Sequence, residues 1–263
     1  MTLPFVAALG ALGLGGAFIS GLLGVGGAIV MIPLLLYVPP LLEVGVLDMK
    51  EVAGVTMVQV FAAAASGMVA HRRHRAVHDE LVLIGGGSMA AGTLTGALLS
   101  HFVPAIWLLI TFAVMATAAS VLTLAPVETV GQPIFADAVH FDRAKTIAIT
   151  LGVGLAAGLV GAGGAFLLVP LLLVVVGVPI RVTLGSSLGI TAIAATAGVV
   201  GKLITGQVPV VPACAVALGA LPGAHFGAAV SRRLPGERLK ILLSVVTIAS
   251  AARVWWDVLA GKP

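Results

Sequence analysis

GLLGVGGAIVMIPLLL, residues 21–36, places four glycines within seven residues and then a proline inside an otherwise apolar stretch. A glycine inside a helix costs about 1 kcal/mol relative to alanine, and a proline costs about 3 kcal/mol. The stretch therefore predicts a helix that is interrupted around residues 24–27 rather than one continuous apolar helix.

The composition of the whole chain is that of a protein embedded in a lipid bilayer. Its 263 residues are 60% hydrophobic and only 9% charged, with a mean hydropathy of +1.19, whereas a soluble domain carries about 25% charged residues. Apolar runs of about 20 residues recur, the length that a helix needs to cross a bilayer. The composition predicts an all-α integral membrane protein. The net charge of +4 comes from loop residues, so we expect no nucleic-acid partner.

A second copy of the broken segment indicates an internal duplication. Residues 14–36 match residues 151–173 at an offset of 137, with 12 of 23 positions identical, including the glycines and the proline. The similarity continues at an offset of 131, which aligns Lys50 with Arg181, Thr56 with Ser187, and His71 with Lys202. We therefore divide the chain into a first membrane repeat (1–124), a cytoplasmic connector (125–142) and a second membrane repeat (143–263).

Each repeat contains five hydrophobic segments, of which the second is short. An odd number of segments inverts the second repeat relative to the first, and we expect 8–10 transmembrane helices, some of them short or broken. Alternate crossing places ten Lys and Arg residues on one side and four on the other. Because basic residues favour the cytoplasm, both termini are predicted to lie outside, and the bacterial inner membrane is the simplest location.

The duplicated breaks predict a substrate site. Interrupted helices are tolerated in a membrane only against protein or a water-filled cavity, and paired interruptions in two inverted halves are the best sequence pointer to a transporter's site. A helix that begins after such a break directs free N–H groups toward an anion. The predicted substrate-binding glycines are Gly24, Gly26 and Gly27 in the first copy and Gly161, Gly163 and Gly164 in the second.

The third segment of each repeat supplies hydrogen-bonding side chains without a formal charge. These candidate substrate-binding residues are Thr56 and Gln59 in the first repeat and Ser186, Ser187 and Thr191 in the second. The two serines have an alternative, because a hydroxyl in a helix also bonds to the carbonyls of its own helix. The glycine pairs Gly92/Gly96 and Gly223/Gly227 are typical of close helix packing.

Three basic residues near segment ends are candidates for gating or for attracting anions. Lys50 and Arg181 occupy equivalent positions before the third segments, and Lys202 lies at the end of the second of them. The alternative is that these side chains anchor helix ends at the membrane surface.

No Asp or Glu lies deep in a predicted segment, although coupled carriers usually keep an intramembrane carboxylate. This pattern leaves uniport, or movement of a proton together with the substrate. His225 is the main candidate for an intramembrane titrating group, with packing as the alternative. We predict no metal, no cofactor and no catalytic residues, because no nucleophile–base pair or metal-ligand cluster is found within the segments.

The sequence resembles the TauE/SafE family of sulfite exporter-like membrane permeases. The resemblance rests on the glycine motif, its second copy GLVGAGGAFLLVPLLL (158–173) and RVTLGSSLGITAIAATAG (181–198), and it covers essentially the whole chain. It implies export of small sulfur-containing anions such as sulfite or sulfoacetate, or of related organic anions, without a cofactor. The family commonly shows a GTSL-like stretch in both third segments; here the second copy reads GSSL but the first reads GVTM, so the site is predicted to be asymmetric.

The sequence thus predicts a transporter in which a small anion binds between the glycine breaks and the Ser/Thr positions, with one repeat rocking against the other to give alternating access. The alternative is an anion channel built from the same elements without alternating gates. The expected partners are the small anion and the lipid bilayer, and a homodimer is left open.

Overall fold

The computed structural model describes residues 2–23, 26–72, 77–124, 141–231 and 236–260. All regular elements in these ranges are helical, which confirms the predicted all-helical class. The predicted connector lies almost entirely outside the described residues, as does Gly24. The helices are α1 (Leu3–Leu23), α2 (Ala28–Leu41), α3 (Met49–Arg72), α4 (Asp79–Leu99), α5 (Ala105–Leu124), α6 (Arg143–Val160), α7 (Ala165–Leu171, continuing as a π-helix over Leu172–Val176), α8 (Ile180–Ile204), α9 (Val210–Ser231) and α10 (Gly236–Leu259).

Seven of these helices are long and apolar enough to cross a membrane: α1, α4, α5, α6, α9 and most of α8 and α10. The helices that follow the glycine motifs are shorter, and α3 is not among the seven. The chain is a multi-pass helical membrane protein. Which of the ten helices cross the bilayer stays a prediction.

The prolines shape the two short helices. Pro33 in α2 has no amide hydrogen to give to the carbonyl of Ile29, four residues earlier. The hydroxyl of Ser250 in α10 donates to that oxygen at 2.9 Å, so the carbonyl that the proline frees has a partner. In α7, Pro170 stands one residue before the end of the α-helix, and the chain continues as a π-helix.

Glycine contacts join α1 to α9 and α4 to α6. A Cβ atom on Gly223 would overlap the carbonyl oxygen of Leu14, and one on Gly227 would overlap that of Phe18. Between α4 and α6, Gly92 and Gly96 lie against the carbonyl oxygens of Leu151 and Leu155 in the same way. The structure therefore shows both predicted glycine pairs in close helix packing. In each pair of helices the contacts advance together along the chain, so the two helices run in the same direction.

Helices α3 and α8 run in opposite directions. Gly198 lies against Met57, and Gly189 lies against Met68, so residues later in α3 meet residues earlier in α8. Helix α3 also packs along α9, and α8 packs along α4. The inner helices thus form two sets, one of α1, α3 and α9 (set one) and one of α4, α6 and α8 (set two), which meet where α3 crosses α8.

The remaining helices, α2, α5, α7 and α10, contact one another beside these sets. The indole nitrogen of Trp255 in α10 donates to Thr117 Oγ1 in α5 at 3.0 Å. The rings of Phe112 in α5 and Phe166 in α7 meet edge to face with centroids 6.1 Å apart. This layer places the beginnings of α2 and α7 against the inner helices.

Candidate functional site

Both glycine motifs form left-handed turns between helices. Gly26 and Gly27 precede α2 with φ of 75° and 82°, and Gly163 and Gly164 precede α7 with φ of 61° and 72°. This backbone region is readily open only to glycine, because a side chain would crowd the following carbonyl. We call these two segments the first turn (Gly26 and Gly27) and the second turn (residues 161–164).

The two turns approach each other inside the bundle. A Cβ atom placed on Gly26 would lie 3.1 Å from the Cβ of Ala165, the first residue of α7, and 3.7 Å from Thr191 Cγ2. The Cγ1 of Val60 would lie 3.7 Å from the same Cβ, and it would overlap a Cβ on Gly163. Val60 of α3 therefore packs between the turns, and Thr191 of α8 stands beside the first.

Three buried polar side chains on α3 and α8 have no hydrogen-bond partner among the described residues. Thr56, Gln59 and Thr191 are 0% exposed. Within the described part of the chain, neither hydroxyl and neither polar atom of the Gln59 amide has a hydrogen-bond partner. Buried polar atoms in native proteins nearly always have a partner, and an unpaired one costs about 1–3 kcal/mol. Gln59 and Thr191 border the first turn, and Thr56 lies about one helical turn before Gln59 and Val60 on α3, so the three groups are positioned to bind one polar ligand there.

The polar groups are distributed unequally between the two turns. A Cβ on Gly27 would lie 3.0 Å from Gln59 Nε2 and 2.8 Å from Ser20 Oγ. The three atoms that would lie nearest to a Cβ on its counterpart Gly164 are all side-chain carbons. The repeat alignment explains the difference, because Ser20 corresponds to Ala157 and Gln59 corresponds to Ile190. The groups that face Gly164 are those of Met89, Val153 and Ala157.

The two predicted serines in α8 have other partners. Ser186 Oγ accepts a hydrogen bond from the backbone amide of His78, before α4, at 3.0 Å. Ser187 Oγ donates to the Leu184 carbonyl in its own helix at 3.1 Å, which is the alternative that the sequence left open. Gln59 and Thr191 lie at the first turn and Thr56 lies one helical turn along α3, each with polar atoms that have no partner among the described residues, while both serines form other hydrogen bonds.

The predicted gating lysines also have partners within the protein. Lys202 is 0% exposed, and its Nζ donates to Ser100 Oγ at 2.7 Å, Gln207 Oε1 at 3.0 Å and the Leu159 carbonyl at 3.2 Å. It thereby ties α8 to α4 and α6. Lys50 donates to the His101 carbonyl at 2.8 Å. The side chain of Arg181 lies outside the described residues.

The sequence reasoning missed two buried polar residues, Ser20 at the first turn and Thr93 between α4 and α8. Ser20 borders Gly27, and it stands one position before the quoted stretch. Thr93 of α4 is 0% exposed, its hydroxyl has no partner among the described residues, and its Cγ2 would lie 2.8 Å from a Cβ on Gly198. A hydroxyl within an otherwise apolar segment was the available signal in both cases. In the part of the chain that the structure describes, no three His, Cys, Asp or Glu side chains form a group that would hold a metal ion.

Comparison with known proteins places the chain among membrane transporters. Residues 9–254 match the family described as Sulfite exporter TauE/SafE. The chain is 26% identical to the "Probable membrane transporter protein YunE" of Bacillus subtilis (strain 168), over 94% of this chain and 96% of that protein. It is 28% identical to a "Probable membrane transporter protein" of Xylella fastidiosa (strain 9a5c), over 91% and 90%. No solved structure matches. Because the family match spans nearly all of the sequence, the chain belongs to the sulfite exporter TauE/SafE family of membrane transporters.

Proposed function

We propose that the chain exports small oxyanions, with sulfite, sulfoacetate and related organic anions as candidate substrates, across the bacterial inner membrane. The observation that carries the proposal is the group of unpartnered polar atoms on Thr56, Gln59 and Thr191 beside the two glycine turns. Hydroxyl and amide N–H groups donate to anion oxygens. The free amides at the start of α2 add positive potential at the first turn.

The helix directions support an inverted arrangement of the repeats. Helices α3 and α8 are equivalent in the two repeats and run in opposite directions, as a two-fold axis in the membrane plane requires. An odd number of segments in each repeat, with α1–α2 and α6–α7 as hairpins that turn inside the bundle, also makes α1 parallel to α9, and α4 parallel to α6. With ten basic residues assigned to the cytoplasm, both termini lie outside.

Alternating access fits the different packing at the two ends of α3. Near the start of α3, Lys50 donates to the His101 carbonyl, and the backbone of Ala53 leaves no room for a Cβ on Gly161. Toward its other end, a cleft of about 260 Å³ opens between α3, α4 and α8, with Phe61, Met68 and Ile193 on its walls. We propose that the conformation is closed toward the outside and opens toward the cytoplasm.

A transport assay tests this proposal. Purified protein in liposomes is loaded in turn with sulfite, sulfoacetate, thiosulfate and taurine, and efflux is compared with that of protein-free liposomes. We expect efflux of at least one anion, and its loss in Gly26→Leu and Gly163→Leu because the new side chains would fill the space between the turns. Gly15→Leu is the control, since a Cβ on Gly15 meets no atom within 4 Å. No flux of any anion, or equal flux in the turn variants, would contradict the proposal.

Turnover in liposomes, together with current recordings in planar bilayers, distinguishes a carrier from the alternative anion channel. Val60 packs against both turns, which favours a carrier because a channel needs a continuous open path. We expect turnover at carrier rates and no unitary currents in planar bilayers, whereas discrete currents carried by sulfite would identify a channel.

A further inference from the structure

The side-chain amide of Gln59 indicates which hydrogen-bonding groups the ligand carries, in addition to its negative charge. The side chain is 0% exposed, and both its oxygen and its nitrogen lack a partner among the described residues. An amide always has one acceptor atom and one donor atom, whichever way the group is assigned. A ligand that satisfies Gln59 must therefore accept one hydrogen bond and donate another.

A simple oxyanion meets only half of this requirement. Its oxygens accept from the amide nitrogen and from the hydroxyls of Thr56 and Thr191, but they offer nothing to the Gln59 carbonyl oxygen. Leaving that oxygen unpaired in a buried site costs about 1–3 kcal/mol. A hydroxyl group, a protonated acid oxygen or an N–H group on the ligand would pair with it.

The charges around the site limit the charge of the ligand. Thr56, Gln59, Thr191 and Ser20 carry no formal charge, and the Lys202 ammonium is held by three other acceptors. The cost of moving an ion out of water rises with the square of its charge, and it is already large for a single charge. A site of neutral donors therefore favours a monoanion over a dianion.

We infer that the site recognises monoanionic oxyanions that carry their own hydrogen-bond donor. The side-chain oxygen of Gln59 accepts the hydrogen bond from this donor. The inference rests on the proposed transport function and deepens it. It ranks hydrogensulfite and hydroxyl-bearing sulfonates ahead of fully ionised dianions. The equivalent position in the second repeat is Ile190, so the donor is recognised at one end of the site only.

Two sulfonates of nearly equal size test the donor requirement. Isethionate bears a hydroxyl where propanesulfonate bears a methyl, and both are monoanions. We expect wild-type protein in liposomes to transport isethionate with a kcat/KM about tenfold or more above that of propanesulfonate, because the second leaves the amide oxygen unpaired. Equal transport of the two sulfonates would overturn this inference and leave the proposed transport function standing.

Variants assign the preference to Gln59. In Gln59→Leu we expect the ratio of the two kcat/KM values to fall to about one while propanesulfonate is still transported. Ile190→Leu is the matched control at the equivalent position and keeps the wild-type ratio. Gln59→Met serves as a second substitution if the leucine variant does not fold. A preference for isethionate that survives in a folded Gln59 variant would overturn the assignment.

The pH dependence of sulfite efflux is a measurement that needs no variant. Hydrogensulfite is a donor-bearing monoanion, and sulfite is a dianion without a donor. We expect efflux at constant total sulfite to follow the hydrogensulfite fraction, and so to fall as the pH rises. Efflux that rises with the dianion would overturn the inference, even if neither sulfonate is transported. If no anion is transported at all, the proposed function itself fails.

Discussion

Gly27 packs tightly against side chains of two other helices, α1 and α3. Its φ is 82°, and a Cβ on it would lie 2.6 Å from the Cβ of Ser20 and 3.0 Å from Gln59 Nε2. Gly27 therefore has two independent reasons to be glycine, its left-handed backbone and its lack of space for a side chain.

Gly27→Ala is expected to lower both stability and transport. The left-handed conformation alone costs an alanine about 1–2 kcal/mol, and the displaced Ser20 and Gln59 alter the polar wall of the site. Thermal unfolding in detergent and efflux from liposomes measure the two effects. Gly87→Ala is the control, because Gly87 lies within α4 and a Cβ there meets no atom within 4 Å. A Gly27→Ala protein with wild-type unfolding and flux would contradict the assignment of the turn.

The position of Lys202 at the end of a segment suggests a role in gating or anion attraction, but its hydrogen bonds inside the protein predict a structural role. Lys202→Met removes the donor shared by Ser100, Gln207 and the Leu159 carbonyl. Because hydrogen bonds from a charged group contribute about 1.5–3 kcal/mol, we expect a clear drop in the unfolding temperature, with flux per folded molecule nearly unchanged. Lys50→Met, which loses a single bond to the His101 carbonyl, should unfold closer to wild type. Normal stability with lost flux would instead assign Lys202 to anion attraction.

At the scale of helices, the glycines of α4 and α6 set the distance between them. A Cβ on Gly96 would overlap the carbonyl oxygen of Leu155, so Gly96→Ala must push the helices apart. Overpacking of this kind costs about 1–3 kcal/mol, and we expect a lower unfolding temperature in detergent. Gly152→Ala in α6 is the matched control, since a Cβ there meets no atom within 4 Å. Equal unfolding temperatures for the two variants would show that these helices do not pack as described.

The helix breaks could be predicted from sequence because their causes are local. A left-handed turn needs glycine at the residue itself, and Pro33 acts on a carbonyl four residues away. The duplication could be recognised for the same reason, because the glycines and the proline recur with the same spacing in both halves. The sequence does not say which helix lies beside another, so it could not show that Ser250 would bond the carbonyl freed by Pro33.

The candidate site was predictable only in part, for the same reason. Thr56, Gln59 and Thr191 were recognised as polar residues on the third segments, and their polar atoms have no hydrogen-bond partner in the part of the chain that the structure describes. Ser186 was equally suitable by composition, but its hydroxyl is taken by the amide of His78, 108 residues away in the chain. Such long-range contacts decide which hydroxyls are free for a ligand.

At the scale of the whole molecule, the tightly packed units do not coincide with the sequence repeats. Set one (α1, α3 and α9) and set two (α4, α6 and α8) each combine helices from both halves. Backbone contacts at Gly96 and Gly227 leave no slack within the sets. Between the sets, α3 meets α8 through Met57 and Met68, and near its start it meets the end of α6 by a backbone contact of Ala53 with Gly161. Methionine adapts readily to changing neighbours, so the sets can move apart at the methionines while the contact at Gly161 holds. We therefore expect the two sets, rather than the two repeats, to move against each other during transport.

Cross-links distinguish the two kinds of movement. In a Cys214→Ala background, which removes the sole native cysteine, one double variant is Ser88→Cys with Thr150→Cys. The two hydroxyls are 2.6 Å apart, so a disulfide there ties α4 to α6 within set two. The other is Phe61→Cys with Ile193→Cys, on the walls of one cleft, where a short bifunctional thiol reagent ties α3 to α8 across the sets.

Both cross-links join the first repeat to the second, so rocking of intact repeats would be stopped by either one. Movement of set one against set two would be stopped by the Phe61–Ile193 cross-link alone, and the disulfide between residues 88 and 150 would leave efflux close to that of the reduced protein. The bifunctional reagent is a bis-methanethiosulfonate, which joins the two cysteines through disulfides. Efflux is measured before cross-linking, after it, and after a reductant has cleaved the disulfides, which should restore transport in the blocked variant. Loss of transport in the protein with the 88–150 disulfide would show that the repeats themselves are the moving bodies, because that bridge lies within a set and constrains nothing else.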